Sequence, residues 1–240
     1  MKGTLYLIPS PLGENDLAEV LPDAVLERAR SIGTFVVEEV RTARRYLSKA
    51  GLKGHIDELR FFTLNEHTAP GEVEELLGLF DEGDVGLISE AGLPAVADPG
   101  AQLVALCHSR DIRVVPLVGP SSLMLALMAS GLNGQSFAFC GYLPAKPEER
   151  RKAIRAAEKR SAELSQTQIF IETPYRNDAL LADMLQILSP TTQLCVAADI
   201  TLPTQFIQTK TVAQWRKYYH PEHSEGSPIG KRPCVFILLA

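Results

Sequence analysis

The chain has 240 residues, 45% of them hydrophobic, and a formal net charge of −5, enough length for one large or two compact units with a full core. No apolar run reaches membrane-spanning length and the opening MKGTLYLIPSPLG lacks the apolar core of a signal peptide, so a cytoplasmic protein without membrane association is expected. The acidic balance excludes a general attraction to polyanions, and any nucleic-acid contact has to come from a local patch. Cys107, Cys140, Cys195 and Cys234 are far apart in apolar segments with no C-x-x-C pair, which predicts reduced core residues and no metal site.

In chain order, Thr4-Leu5-Tyr6-Leu7-Ile8 predicts a strand, and Pro9-Ser10-Pro11-Leu12-Gly13 a rigid turn whose backbone admits a ligand closely. Residues 17–30 have helical apolar spacing, with Pro22 marking a break or a first turn. Thr34-Phe35-Val36-Val37 predicts the second strand, ending in Glu38-Glu39-Val40-Arg41. Two carboxylates and an arginine at a strand end suit a substrate-clamping cluster; a plain exposed turn with a local ion pair fits the same residues. Residues 42–50 read as a basic helix closed by Gly51. Phe61-Phe62-Thr63-Leu64 is the third strand, followed by Asn65-Glu66-His67-Thr68, where His67 is noted for its near-neutral titration.

An amphipathic helix over 72–80 leads to the most informative stretch, GLISEAGLPAVADPG at 86–100. It reads as a buried strand, a Gly/Pro loop carrying Glu90, and a helix over 101–109 with Asp98 as N-cap and Pro99 in its first turn. A carboxyl-end loop of this kind is where open α/β sheets bind ligands. A strand over 112–116 runs through Val118-Gly119-Pro120-Ser121-Ser122 into an apolar helix ended by Gly131. This alternation implies a largely parallel sheet with right-handed crossovers.

The pattern then starts afresh, giving an N-terminal α/β domain over 1–118 and a C-terminal one over 119–240. Ser136-Phe137-Ala138-Phe139-Cys140 predicts a strand with Gly141-Tyr142-Leu143-Pro144 as its turn. Residues 148–164 form a helix carrying Arg150, Arg151, Lys152, Arg155, Lys159 and Arg160, either a phosphate-facing surface or, with acids interleaved, a solvated face. A strand over 168–172, the turn Thr173-Pro174-Tyr175-Arg176 and a helix over 177–188 follow. Strands over 194–198 and 204–208, a short helix over 211–219, a mobile loop over 220–230 and a closing strand over 233–239 complete a mixed sheet. P-loop, G-x-G-x-x-G, G-x-S-x-G and H-E-x-x-H signatures are all absent.

The ordered set SPLG, EEVRT, ISEAGLPAVADPG, VGPSS, GYLP and IETPYR resembles the tetrapyrrole methylase superfamily of S-adenosylmethionine-dependent methyltransferases. Within it, the chain is similar to the branch of ribosomal RNA small subunit methyltransferase I, which methylates a cytidine 2′-hydroxyl and typically shows TPIGN, AEDTR, SDAGTPxxSDPG, PGPSA, GFLP and ESPHR. The resemblance implies a two-domain α/β fold, mostly parallel N-terminal sheet with helices on both faces and a mixed-sheet C-terminal domain, S-adenosylmethionine in the cleft between them, and a homodimer. Carried over by position, it implies cofactor contacts from Pro11 and Leu12, from Ser89, Glu90, Ala91, Gly92 and Leu93, from Pro120, Ser121 and Ser122, and from Tyr142, Leu143, Thr173 and Pro174. Glu90 stands where the branch has Asp, one methylene longer. Each leucine also fits plain core packing.

For the acceptor side the motif positions are Glu38, Glu39 and Arg41 on one loop and Glu66 and His67 on another, with Glu39 and Arg41 assigned to substrate positioning. The branch's RELTK-like segment is replaced by Ala198-Asp199-Ile200-Thr201-Leu202-Pro203, and its YHEHNE-like segment is reduced to Leu64-Asn65-Glu66-His67-Thr68. The chain therefore reads as a divergent paralogue. Three functions follow: methylation of ribosomal RNA or the small ribosomal subunit, methylation of a tetrapyrrole-like small molecule, and S-adenosylmethionine binding without turnover. Arg41, Arg44 and Arg45 offer the first of these a contact surface.

Overall fold

The computed structural model describes residues 2–219 and 229–240, so the loop expected over 220–230 lies, for 220–228, outside the described residues. The chain divides into two compact units, Met1–Ser121 and Ser122–Ala240.

The first unit is built on five parallel strands, β1 (Leu5–Ile8), β2 (Thr34–Val37), β3 (Arg60–Thr63), β4 (Val85–Ile88) and β5 (Val114–Pro116), in the order β3-β2-β4-β1-β5. Parallel neighbours need crossovers, and the strands are apolar on both sides because both faces are covered. One face packs Ile8, Phe35, Val37 and Ile88 against α1 (Leu17–Val20), α2 (Asp23–Arg30) and α3 (Val40–Leu47). The alternate residues Leu5, Val36, Val85 and Leu87 pack against α4 (Pro70–Glu75), the 3-10 turns at Leu76–Asp81 and α5 (Gly100–Ser109). Gly86, on the central strand, has no room for a side chain: a Cβ there would stand 2.7 Å from Ile8 Cδ1 and 2.8 Å from Phe35 Cδ1.

Several boundaries differ from the sequence reading for local reasons. Pro22 interrupts 17–30, ending α1 and standing at the N-cap of α2. The basic helix starts two residues early, at Val40, because the Glu39 side chain accepts a hydrogen bond from Arg41 N at 2.9 Å and caps it. It then loosens into a π turn, Ser48–Leu52, where Gly51 takes φ of 106°. α5 starts at Gly100 with Pro99 at the cap position, so Asp98 is not the N-cap residue itself. Its carboxylate still accepts from Gly100 N at 2.7 Å and Ala95 N at 2.9 Å, satisfying the free end of the helix from one residue further out.

The second unit holds α6 (Ser122–Ser130) and a mixed sheet of β6 (Phe137–Tyr142), β7 (Thr167–Glu172), β8 (Gln193–Ala198), β9 (Phe206–Thr211) and β10 (Cys234–Leu239), ordered β6-β7-β10-β8-β9. Only the β6–β7 pair is parallel. The last strand does not close the sheet at an edge; it fills the middle, between β7 and β8. Nor does β6 stop before Gly141. It runs on to Tyr142 across a register shift after Phe139, with Gly141 at φ of 68°. α7 (Pro147–Leu164), α8 (Asn177–Ile187) and α9 (Val212–Tyr218) cover a core of Ile154, Phe170, Leu180, Met184, Trp215 and Phe236. Trp215 is fully buried and its Nε1 donates to Leu194 O at 2.7 Å. Cys107, Cys195 and Cys234 are buried free thiols, and Cys140 is half-buried and free. Among the described residues no helix is long and apolar enough to cross a membrane.

The basic helix over 148–164 is only partly a surface. Arg150 is buried, and its guanidinium meets Asp183 through Nε at 2.7 Å and NH2 at 2.6 Å, while Arg151 Nε takes the other carboxylate oxygen at 2.8 Å. Arg150 is thereby committed to α8, whereas Arg151, which gives its Nε to Asp183, keeps a side chain 42% exposed. Lys152, Arg155, Lys159 and Arg160 remain exposed.

Candidate active site

β1 and β4 are neighbours, yet the chain leaves them toward opposite faces, to α1 from β1 and to α5 from β4. That divergence opens a crevice at their carboxyl ends, the usual ligand position in an open α/β sheet. The two loops are laced together there: Ser10 N donates to Gly92 O at 2.9 Å, Gly92 N to Ser10 O at 3.1 Å, and Ser10 Oγ to Ser89 O at 2.9 Å. Gly92 takes φ of 75°, and a Cβ on it would stand 3.2 Å from Leu12 Cδ2 and 3.5 Å from Pro120 O.

Beside this lacing lies a cavity of about 180 Å³ lined by Ser10 to Asn15 and Leu17, by Ile88 to Ala91, and by Thr42, Ala43, Arg45, Tyr46 and Lys49. It contains Pro11, Leu12, Ser89, Glu90 and Ala91 from the sequence-derived cofactor set; Gly92 is laced to Ser10 beside it and approaches Pro120 O, and Leu93 is half-buried outside the lining. Thr42 closes EEVRT, whereas Tyr46 and Lys49 stand outside the sequence motifs. Their signal is spacing, since 42, 45, 46 and 49 follow the i, i+3, i+4, i+7 repeat of one helix face. Tyr46 is fixed by donating its hydroxyl to Pro9 O at 3.0 Å, and burial keeps its phenol protonated far above the ordinary range.

Carboxylates gather at the same edge. Glu38 Oε2 accepts from Glu90 N at 3.2 Å. Burial raises the Glu38 pKa, with the charges of Asp98 and Glu66 adding to the effect and the Glu90 N–H opposing it. Glu90 is raised by burial and then by Glu38, against a hydrogen bond with Thr42. Asp98 is raised by burial against the two backbone N–H groups it accepts. The hydrogen bonds these acids accept come from backbone amides and from Thr42, and neighbouring carboxylates disfavour the anions of Glu38 and Glu90.

The other assigned residues fall as follows. Glu39 is exposed and serves α3 as its cap, which fixes the first turn and with it Arg41, also exposed. Glu66 lies near enough for its charge to act on Glu38, whereas the His67 ring, 3.6 Å from Glu66, lines a separate cavity with Phe62, Thr68, Glu72 and Glu75. Ser121 and Ser122 are half-buried at the junction of the two units. In the second unit, Tyr142 is exposed, Leu143 is packed into the core, Pro174 opens a 3-10 turn, and Thr173 Oγ1 accepts from Arg176 Nε at 3.0 Å.

Known proteins of similar sequence carry methyltransferase names. A ribosomal RNA small subunit methyltransferase I of Escherichia coli O157:H7 is 33% identical over 214 residues, covering 89% of this chain and 71% of that protein. The protein of the same name from Haemophilus influenzae is 31% identical over 232 residues, covering 95% and 78%. The chain belongs to the ribosomal RNA small subunit methyltransferase I family. No family model matches it. Among solved structures, the methyltransferase CobJ superposes with a TM-score of 0.63 at 14% identity, over 98% of this chain and 93% of that one. A uroporphyrin-III C-methyltransferase of Thermus thermophilus, complexed with S-adenosylhomocysteine, gives 0.56 at 17% identity, over 99% and 97%. At that identity the two establish the fold of this family member, a tetrapyrrole-methylase-like pair of α/β units.

Proposed function

We propose that the chain is an S-adenosylmethionine-dependent methyltransferase acting on the ribose 2′-hydroxyl of small-subunit ribosomal RNA, in the cytoplasm and as a homodimer. The observation that carries this reading is the identity to family members of that name across nearly the whole chain, joined to a carboxyl-edge cavity built from the same motif residues. The residues fit the cofactor. Pro11 and Leu12 offer an apolar wall, the Gly92 turn leaves backbone open, and Glu90 is an acceptor suited to ribose hydroxyls. When bound, S-adenosylmethionine supplies a methyl group on a sulfonium, open to in-line displacement.

The protein's task is alignment, which supplies much of the acceleration in such a displacement. Glu90 and Ala91 hold the adenosine portion, Ser121 and Ser122 the methionine carboxylate, and Leu93 the apolar stem. By motif position Tyr142, Leu143, Thr173 and Pro174 belong to the same cofactor set, and Leu143 is packed into the core of its own unit. Arg41 orients the acceptor strand, and Glu39 is a positioning residue that acts through the first turn of α3. Glu66 and His67 border the acceptor side. The homodimer is supported by apolar side chains left exposed on the second unit, Met124 and Met128 on α6 and Phe137 and Phe139 on β6 at the sheet edge.

Calorimetric titration with S-adenosylhomocysteine tests the cofactor assignment: micromolar binding to the wild type, weakened about 10- to 100-fold in Glu90→Ala and weakened in Ser121→Ala. Absence of wild-type binding contradicts the reading. Light scattering after size exclusion tests the dimer, with a monomer at micromolar concentration as the contrary result.

A further inference from the structure

The loop after β1 places Glu14 over the basic end of α3, at the mouth of the cavity between β1 and β4. Lys49 Nζ stands 2.5 Å from Glu14 Oε2, and Arg45 NH1 is 3.7 Å from Glu14 Oε1, too far for a hydrogen bond. Two cations thus share one carboxylate, leaving a net positive charge. All three side chains are exposed, so these contacts are weak, screened by salt and easily exchanged. Arg41 and Arg45 lie four residues and about 6 Å apart along α3, and Lys49 continues that interval into the π turn that follows. A row of cations matches a polyanionic backbone better than a single carboxylate, and the cavity opens beside the row.

We propose that Glu14, Arg45 and Lys49 form an exchangeable phosphate clamp, in which a phosphodiester of the acceptor RNA takes the place of the Glu14 carboxylate on Lys49 and Arg45. The proposal rests on the RNA methyltransferase reading and deepens it. Glu14 acts as a built-in competitor: it holds the two cations in place before RNA arrives and weakens strands that bring no phosphate to that point. Its carboxyl is held below the usual range by the hydrogen bond and charge of Lys49, so the competitor stays ionised at neutral pH.

The test is RNA binding by fluorescence anisotropy across a salt series, using an unmethylated transcript of the small-subunit RNA. S-adenosylhomocysteine titration is run in parallel on the same proteins. Lys49→Ala and Arg45→Ala are each expected to lower the slope of log affinity against log salt by about 0.7, the loss of one single-strand phosphate contact. Glu14→Gln is expected to tighten RNA roughly 2- to 5-fold, as removal of a competing charge does, while Glu19→Gln, the same charge change on α1, leaves affinity unmoved. S-adenosylhomocysteine affinity stays unchanged in Glu19→Gln, which lies away from the cavity, and is measured in the other three to separate effects on the cofactor from effects on RNA. Unaltered salt slopes in both cation variants overturn the clamp, as does a Glu14→Gln protein that behaves like Glu19→Gln. A fall in S-adenosylhomocysteine affinity in Lys49→Ala overturns it by assigning the cations to the cofactor's carboxylate. A wild-type protein that binds S-adenosylhomocysteine but no RNA overturns the acceptor reading and the clamp together, whereas the variant outcomes strike the clamp alone.

Discussion

The two units treat their sheltered carboxylates in opposite ways. In the second unit, Asp183 is gripped by Arg150 and Arg151, Glu172 by Arg176 at 2.5 Å, and Asp199 by Arg232 at 3.2 Å with Thr204 Oγ1 at 2.8 Å. In the first, Glu38, Glu90 and Asp98 are held by backbone amides and by Thr42; burial pushes all three upward, and neighbouring carboxylates add to it at Glu38 and Glu90. A carboxylate matched by arginine is spent on the fold. One left with raised pKa at a strand edge remains available to a ligand, which is the pattern functional sites tend to show.

That contrast predicts a graded series. Asp183→Ala leaves buried Arg150 unpaired and should cost about 3–5 kcal/mol of folding stability, read by urea unfolding; a loss below 1 kcal/mol would erase the distinction. Glu90→Ala should do the reverse, removing hydrogen bonds to a ligand worth about 1.5–3 kcal/mol. Its S-adenosylhomocysteine affinity should drop about 10- to 100-fold while the melting temperature holds or rises. Gly86→Ala tests the floor beneath the site: a methyl forced against Ile8 and Phe35 should cost about 1–3 kcal/mol by overpacking, with binding reduced only in proportion to unfolding.

The smallest effect carries a sign. Because the Glu38 pKa is higher in the folded state than in the unfolded chain, its contribution to stability is fully present below the unfolded value and is lost as pH rises through the folded one. Glu38→Gln keeps an acceptor for Glu90 N but cannot ionise. It should therefore melt higher than wild type at pH 7, and the difference should shrink toward zero below pH 4.5. A difference that grows on acidification would mean that Glu38 is stabilised as the anion.

The architecture was legible because its signals are local. Four-residue apolar runs such as Thr34–Val37 end in turn residues, and the parallel sheet follows from strands alternating with helices. The loop over 89–94 was legible through its Gly/Pro chemistry. What sequence could not supply was pairing across the chain. Nothing in RRK at 150–152 says that two of the three cations face Asp183, because that partner lies on the next helix but comes from 32 and 33 residues away. The central place of β10 was hidden for the same reason, antiparallel pairing on both sides being a long-range choice. Glu39 caps α3, a role that an acid placed just before a helix allows as readily as substrate positioning. The segment standing in place of a charged motif after β8 folds into a turn around Asp199 and Arg232, and that exchange of surface charge for a local ion pair is visible only in three dimensions.

The most direct test of the account is methyl transfer from tritiated S-adenosylmethionine to small ribosomal subunits that lack the modification, with the RNA then hydrolysed in alkali. The account predicts that label enters the RNA and that one phosphodiester bond becomes resistant to hydrolysis, as a methylated 2′-oxygen requires, with both signals lost in Glu90→Ala. Label that appears only in an added tetrapyrrole, or binding of S-adenosylhomocysteine with no transfer to the subunit at all, would contradict it.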